Sequence, residues 1–180
     1  GALVKGSGEL ADIGLFTDTL RGPVTAGLNV TRGPGDTAPW RLRADVASAA
    51  GLSASLAGSV MGEDGTVDMT ANGQVPLALA NRALAPQSLF GILGFDLAVR
   101  GAPGLAALSG TLRMANARLT LPLAQTALEN LTGSAQIAGG RVTLSATGDL
   151  ASGGGLRVDG TVGLDRPGLP AQISLTGQAM

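Results

Sequence analysis

The stretch RVTLSATGDLASGGGLRVDGTVGLD, residues 141–165, alternates apolar and polar residues almost without interruption. Val142, Leu144 and Ala146 share one register before a run of glycines, and Leu156 and Val158 share another register after it. A period of two is typical of β-strands that have one apolar face and one polar face. The stretch therefore predicts paired strands, and it raises the question of what their apolar faces contact.

The same alternation covers most of the chain. Glycine often precedes a small polar residue and an aliphatic one, as in Gly110-Thr111-Leu112, and we interpret this glycine as the bend at which a strand starts. No shift in composition marks a domain boundary, so we predict one continuous array of about a dozen short strands over residues 1–180. The alternating segments are 22–33, 40–48, 52–60, 65–73, 73–81, 94–101 and 108–121.

The alternation changes phase after Met114. Ala115, Ala117, Leu119 and Leu121 alternate against the run that precedes them. A slip of one residue turns every later side chain to the other face of a sheet. The change of phase therefore predicts a bulge or a tight turn at this point.

Two segments have a less regular pattern. Residues 82–94, RALAPQSLFGILG, predict either a short helix after Pro86 or a loop that leads into a strand. Residues 123–133, LAQTALENLTG, have a weak helical spacing of leucines, but the alternation on both sides favours a strand with a turn.

Large side chains are scarce in this sequence. Hydrophobic residues make up 44% of the chain, but aromatic residues make up only 2%, and there are 29 glycines. A sandwich of two sheets fills its interior with large side chains, because protein cores are close-packed. Alternating strands most often pack on a second sheet, but the scarcity of fillers and the glycine-rich repeats favour an open, elongated sheet.

The charge pattern argues against nucleic-acid binding. The net charge is −1, with 12 basic and 13 acidic residues spread along the chain, and Lys5 is the only lysine. Binding to a phosphate backbone requires a cluster of basic residues, and the sequence contains none. We therefore expect no nucleic-acid partner.

Catalysis is also not expected. The chain has neither histidine nor cysteine, which removes the commonest general base, the commonest metal ligand and any thiolate site. Carboxylates occur in pairs at Glu63 and Asp64, Asp64 and Asp68, and Asp159 and Asp165, and we interpret them as solubilising charge. A calcium site at Asp64 and Asp68 would need further oxygen ligands at regular spacing, and this loop lacks them. We expect no enzyme activity, no metal and no cofactor.

The N-terminal region has two patterns of low specificity. GSGELA, residues 6–11, matches half of a dinucleotide-binding fingerprint, but no helix of a βαβ unit follows it, and we interpret it as a strand turn. The first ten residues lack the apolar run and the cleavage site of a signal peptide. No run of about 18 apolar residues is present that would span a bilayer as a helix. We interpret the chain as a fragment of a larger protein.

Two long segments, SGTLRMANARLTLP (109–122) and ALENLTGSAQIAGGRVTLSATGDLASGGGLRVDGTVGLD (127–165), resemble the C-terminal region of the TamB family. This family belongs to the AsmA-like envelope proteins of Gram-negative bacteria. The similar elements are PGLAALSGTL (103–112), LENLTG (128–133) and the glycine-rich turn before Leu156. GQVPLALAN (73–81) and GFDLAVRG (94–101) are similar to the segment that precedes these elements in the family. The resemblance covers residues 73–165, and its motifs are patterns of strands rather than catalytic residues.

The resemblance implies a long periplasmic protein with one inner-membrane anchor and a β-taco, a sheet curled into an open trough with an apolar concave face. It also implies that the parent protein moves phospholipid between the inner and outer membranes and supports outer-membrane protein assembly. The expected partners are phospholipid acyl chains and, through the parent protein, an outer-membrane barrel similar to TamA. This chain ends at GQAM without an obvious partner-binding segment.

Together, the alternation and the resemblance predict an all-β fold, an elongated curled sheet whose apolar face forms a lipid groove. The alternative is a structural or adhesive β-solenoid, similar to a secreted passenger domain, in which the same residues form a dry core. The two differ in whether the apolar layer is closed to solvent. The predicted groove residues are Val24, Leu28, Val30, Leu42, Val46, Val67, Met69, Leu97, Val99, Leu112, Leu119, Leu121, Ile137, Val142, Leu144, Leu156, Val158, Val162, Leu164, Ile173 and Leu175.

Overall fold

The chain folds into one antiparallel sheet of eleven strands, seen in a computed structural model that describes residues 2–10, 23–35, 37–61, 65–164 and 170–178. Every strand pairs with its neighbours in the sequence, so the spatial order is the chain order. The strands are β1 (Ala2–Leu10), β2 (Val24–Arg32), β3 (Trp40–Ser48), β4 (Ser53–Val60), β5 (Val67–Pro76), β6 (Ser88–Gly101), β7 (Leu108–Leu121), β8 (Thr126–Ala138), β9 (Arg141–Leu150), β10 (Gly155–Gly163) and β11 (Ala171–Gln178). The all-β fold class is therefore confirmed.

The register collects the apolar residues of successive strands on one face. Val30 of β2 lies opposite Leu42 of β3, and Val142 of β9 lies opposite Val162 of β10. Side chains alternate between the two faces of a strand, so residues two apart lie on the same face. Every second residue from an aligned apolar pair therefore lies on the same face as that pair, in both strands. We call this side the apolar face and the opposite side the polar face.

The sheet is open and curled like a trough, with no second sheet packed on it among the described residues. Few side chains are fully enclosed. Val24, Ala117, Ala127, Leu128 and Ile137 are buried, and no large side chain has less than 2% of its surface exposed. Among the described residues, the partial burial of the apolar face comes from neighbouring strands of the same curled sheet.

Two asparagines form bulges where the alternation of the sequence breaks. Asn116 of β7 and Asn130 of β8 have positive φ angles of 52° and 51°, and the strand register shifts beside each of them. Asparagine tolerates this left-handed conformation better than most residues. The bulge predicted after Met114 is confirmed, although Ala115 stays on the polar face and only Ala117 begins the new phase.

The bulge at Asn130 explains the helical spacing of residues 123–133. Leu128 and Leu131 are three residues apart, as on a helix, but Asn130 is the extra residue that brings both leucines to the apolar face of a strand. The strand interpretation is confirmed, because β8 begins at Thr126 after a short 3-10 turn at Pro122–Ala124. Two apolar residues that are three positions apart, with an asparagine between them, thus mark a bulge here.

Glycine is required at positions where a Cβ atom would overlap the backbone of a neighbouring strand. A Cβ atom built on Gly58 of β4 would overlap the carbonyl oxygen of Asp68 in β5. At Gly110 of β7, φ is 140°, and a Cβ atom would overlap the carbonyl oxygen of Asp96 in β6. Both positions therefore exclude larger residues on steric grounds.

The segment between β5 and β6 contains the longest helical stretch. A 3-10 turn at Leu77–Ala80 leads into a four-residue helix, α1 (Asn81–Leu84). Of the two alternatives predicted for residues 82–94, the helix after Pro86 is wrong, because α1 ends before Pro86 and Ala85 is extended with ψ at 134°. A residue that precedes proline avoids the helical region. The loop that leads into a strand is confirmed, because β6 begins at Ser88. The Asn81 side chain accepts a hydrogen bond from the Leu89 N–H at 2.7 Å, which holds α1 against the start of β6.

Candidate functional site

The apolar face is the candidate site, since it is the largest feature of the sheet without a partner layer. Of the predicted groove residues, all but Leu164 lie within strands and share this face by register. Leu164 follows the end of β10, where its N–H donates to the carbonyl of Gly140 at 2.7 Å. The face runs across β2 to β11 without interruption.

Most residues of the apolar face are half-buried rather than enclosed. Leu112, Leu144 and Val158 are all in this intermediate range of exposure. Leu28 is 45% exposed, and Leu175 on the last strand is 67% exposed. Solvent or a ligand can therefore reach the face along its length, whereas a dry core would leave such side chains below a few per cent exposure.

One depression of the apolar face is a pocket of about 210 Å³ that extends across β6, β7, β8 and β9. Its main lining residues are Leu93, Leu112, Met114, Ala135 and Leu144. Sequence reasoning had not placed Leu93 or Ala135 among the groove residues. Leu93 lies in phase with Phe95 and Leu97, so extending that alternation by one step would have found it. Ala135 carries no signal, because alanine is common on both faces.

Charged side chains in β3 to β10 lie on the polar face. Exposed ion pairs occur between Arg100 and Asp68 at 3.5 Å and between Arg118 and Glu129 at 3.3 Å. Exposed pairs of this kind contribute about 0–1 kcal/mol each. Because these charged side chains lie on the polar face, the apolar face of β3 to β10 carries no charge.

Arg157 and Asp159 form the best-defined ion pair of the polar face. The guanidinium donates two hydrogen bonds to the carboxylate, at 2.6 and 3.1 Å. These bonds lower the pKa of Asp159 below its ordinary value, the Ser145 hydroxyl acts in the same direction, and partial desolvation opposes them. The pKa of Arg157 is raised by the same contact. Asp159 therefore forms a surface ion pair with Arg157.

One charged residue shares the register of the apolar face, at the end of β2. Arg32 lies opposite Trp40, with its guanidinium carbon 5.2 Å from the centre of the indole ring. Its Nε also donates to the carbonyl of Ala38 at 3.3 Å. The stacking on an aromatic face stabilises the cation at the margin of the apolar surface.

A second depression, of about 650 Å³, lies mainly on the polar face over β7 to β9. Its lining includes Arg113 and the hydroxyl groups of Thr132, Ser134, Ser145 and Thr147. Thr132 pairs with Thr147 and Ser134 with Ser145 across β8 and β9. Ile92, which is 40% exposed, adds an apolar side chain to this lining. Sequence reasoning missed this depression, because its lining residues come from four different strands, β6 to β9.

Neither a metal cluster nor a spanning helix occurs in the described ranges. No group of three or more metal-ligating residues is found there. No described helix has the length and apolarity needed to cross a bilayer. Of the carboxylate pairs considered from the sequence, Glu63, Asp64 and Asp165 lie outside the described residues.

Comparison with known proteins does not identify a relative. No protein-family model, curated protein or solved structure matches this chain.

Proposed function

We propose that this chain is a segment of a periplasmic TamB-like protein, and that its apolar face forms a groove that conducts phospholipid between the inner and outer membranes. The observation that supports the proposal is the continuous, half-exposed apolar face of an open curled sheet. In the parent protein, an inner-membrane anchor and an outer-membrane barrel similar to TamA would hold this groove between the two membranes. The parent would then also support outer-membrane protein assembly.

Lipid transport along the apolar face requires burial of acyl chains and no catalytic residue. Each methylene group that leaves water contributes about 0.8 kcal/mol, so a chain of sixteen carbons gains roughly 10 kcal/mol when it is covered. With about 4.8 Å between strands, eleven strands make a trough of roughly 48 Å. Such a surface removes most of the barrier to passage of a lipid tail over that distance.

The side chains of the groove suit a tail of any acyl composition. Leucine, valine and alanine present apolar surface without hydrogen-bonding groups, and charged residues of β3 to β10 lie on the other face. The exposed apolar residues disfavour the alternative of a β-solenoid, whose dry core would enclose them. The proposed site is therefore the apolar face as a whole, and the pocket across β6 to β9 is one section of it.

Adjacent residues on opposite faces provide the test. A photo-crosslinking amino acid is placed at Leu144 in one variant and at Thr143 in another, and each purified protein is incubated with phosphatidylethanolamine vesicles. Leu144 lines the pocket, whereas Thr143 is exposed on the polar face. After irradiation, mass spectrometry measures the fraction of protein bound to phospholipid.

We expect phospholipid adducts at position 144 and few at position 143. Equal labelling at both positions would show that contact with lipid is unspecific. The absence of adducts at position 144, in protein that is folded by circular dichroism, would contradict the groove and return the β-solenoid to consideration.

A further inference from the structure

The depression of about 650 Å³ on the polar face, which we call the polar depression, has the size and lining of a binding site. Small-molecule sites have volumes of roughly 300–1,000 Å³ and combine an apolar lining with a few polar groups that orient the ligand. In the polar depression, Ile92 and Ala115 contribute apolar surface, and Arg113 and the hydroxyl groups of β8 and β9 contribute the polar groups.

Arg113 is a charge of this lining without a counter-ion. It is exposed on β7, and within the described ranges it forms neither an ion pair nor a side-chain hydrogen bond. Its neighbours across the sheet are Gly94 on β6, which has no side chain, and Ser134 on β8. Asp96 lies on the same face, opposite Thr111, but forms no ion pair with Arg113. The N–H donors of the guanidinium are therefore available to a ligand.

Two hydroxyl groups of the lining are available as well. Ser134 and Thr147 make no side-chain hydrogen bond with any described residue, whereas Thr132 already donates to a backbone carbonyl at 3.4 Å. Ser134 lies directly opposite Arg113, and neighbouring strands are about 4.8 Å apart. One ligand group of the size of a phosphate can therefore accept hydrogen bonds from both side chains.

A carboxylate that bonds to this lining, Asp159, already has its charge compensated. The Ser145 hydroxyl bonds to it, and Arg157 donates two hydrogen bonds to it at 2.6 and 3.1 Å. Because this carboxylate is paired, the uncompensated charge of the lining is that of Arg113. The polar depression therefore favours an anionic ligand.

We propose that the polar depression binds a phosphate monoester with an apolar substituent. Arg113 holds two phosphate oxygens, because the planar guanidinium matches them in a bidentate pair. A phosphate monoester has a third terminal oxygen, which accepts from the Ser134 hydroxyl. A carboxylate has only two oxygens and would leave this hydroxyl without a partner.

The apolar residues of the lining select the substituent. Ile92 is 40% exposed and lies opposite Ala115, which is two residues from Arg113 on the same face of β7. A substituent attached to the phosphate therefore covers Ile92 and removes apolar surface from water. A soluble ester and the headgroup of a phosphatidic acid share this chemistry. The site lies on the opposite face from the proposed groove, so either of the two can fail without the other.

An NMR titration of the isotopically labelled chain provides the test. Phenyl phosphate and inorganic phosphate are added separately at constant ionic strength and at about pH 8, where both ions carry mainly two charges. We expect saturable shifts of the backbone amide signals of Ser134 and Thr147. We also expect phenyl phosphate to bind about fivefold more tightly than inorganic phosphate, because its ring covers Ile92.

Three variants separate the two parts of the site. We expect Arg113→Gln to weaken both ligands at least about tenfold, since it removes the charge-assisted hydrogen bonds. Ile92→Ser should leave inorganic phosphate unchanged and abolish the preference for phenyl phosphate. The matched control is Arg41→Gln, because Arg41 is exposed on the polar face of β3, four strands from Arg113. This variant removes the same charge and should bind both ligands as the wild type does.

Three results would overturn the proposal. The first is the absence of saturable shifts in the wild type, and the second is equal weakening by Arg41→Gln and Arg113→Gln, which would show unspecific attraction. The third is a preference for phenyl phosphate that survives in Ile92→Ser.

Sedimentation with phosphatidylcholine vesicles that contain phosphatidic acid distinguishes the two sources of the ligand. If wild-type protein co-sediments more than Arg113→Gln, the ligand is a lipid headgroup. Equal co-sedimentation, with binding of phenyl phosphate in solution, supports the site and assigns it to a soluble ester.

Discussion

At the residue scale, Gly110 has no room for a side chain. Its φ of 140° is unfavourable for other residues, and a Cβ atom there would overlap the backbone of β6. We expect Gly110→Ala to lower the free energy of unfolding by about 1–3 kcal/mol, measured by urea denaturation. The control is Gly27→Ala, because no atom lies within 4 Å of a Cβ at Gly27. Equal destabilisation by both variants would contradict this account.

The pKa of Asp159 makes a second prediction at this scale. Because the folded pKa is lower than the unfolded one, Asp159 contributes stability above the unfolded carboxyl pKa of about 4, and that contribution is lost as the pH falls through the folded value. A carbon-13 NMR titration of the carboxyl group is expected to show a midpoint below about 4. In Arg157→Ala the midpoint is expected to move up. An unchanged midpoint would mean that Arg157 does not hold this carboxylate.

At the scale of the strand, the bulges depend on asparagine. Asn130 has a φ of 51°, and its side-chain amide donates to Asp149 at 2.9 Å. Asn130→Ala loses the hydrogen bond and forces alanine into the left-handed region, so we expect a loss of about 1–2 kcal/mol in unfolding free energy. Asn130→Gly loses only the hydrogen bond, and we expect a smaller loss. If glycine destabilised β8 more than alanine, the backbone conformation would not be the controlling factor.

Strand patterns explain how much of each element could be predicted. Alternation depends only on residues two apart, so β3, β9 and β10 could be assigned with their faces from the sequence. The break after Met114 indicated a bulge, but the chain alone did not show that Asn116 is the extra residue. The helix at Asn81–Leu84 was not predicted, because four residues are too few to give a periodic pattern. Of the two alternatives for residues 82–94, the loop that leads into a strand is the one that forms.

At the scale of the whole molecule, a charge on the apolar face tests the groove. Val158 lies on this face between Ala146 and Leu175, whereas Thr143 is exposed on the polar face. We expect Val158→Asp to weaken phospholipid binding at least about tenfold, since a carboxylate beside an acyl chain costs more than about 1.4 kcal/mol. Thr143→Asp adds the same charge and is expected to bind normally. The measurement is lipid recovery by native mass spectrometry, with folding checked by circular dichroism, and equal binding by both variants would contradict the groove.

The amino-acid sequence by itself determined that the chain forms strands, which residues share a face, and where the alternation changes phase. These properties are local, because side-chain direction repeats every two residues along a strand. Only the tertiary structure decided that the sheet stays open and that its apolar face is half-exposed. The twist and the bulges add up over eleven strands, so closure of the sheet depends on their sum and not on any single segment.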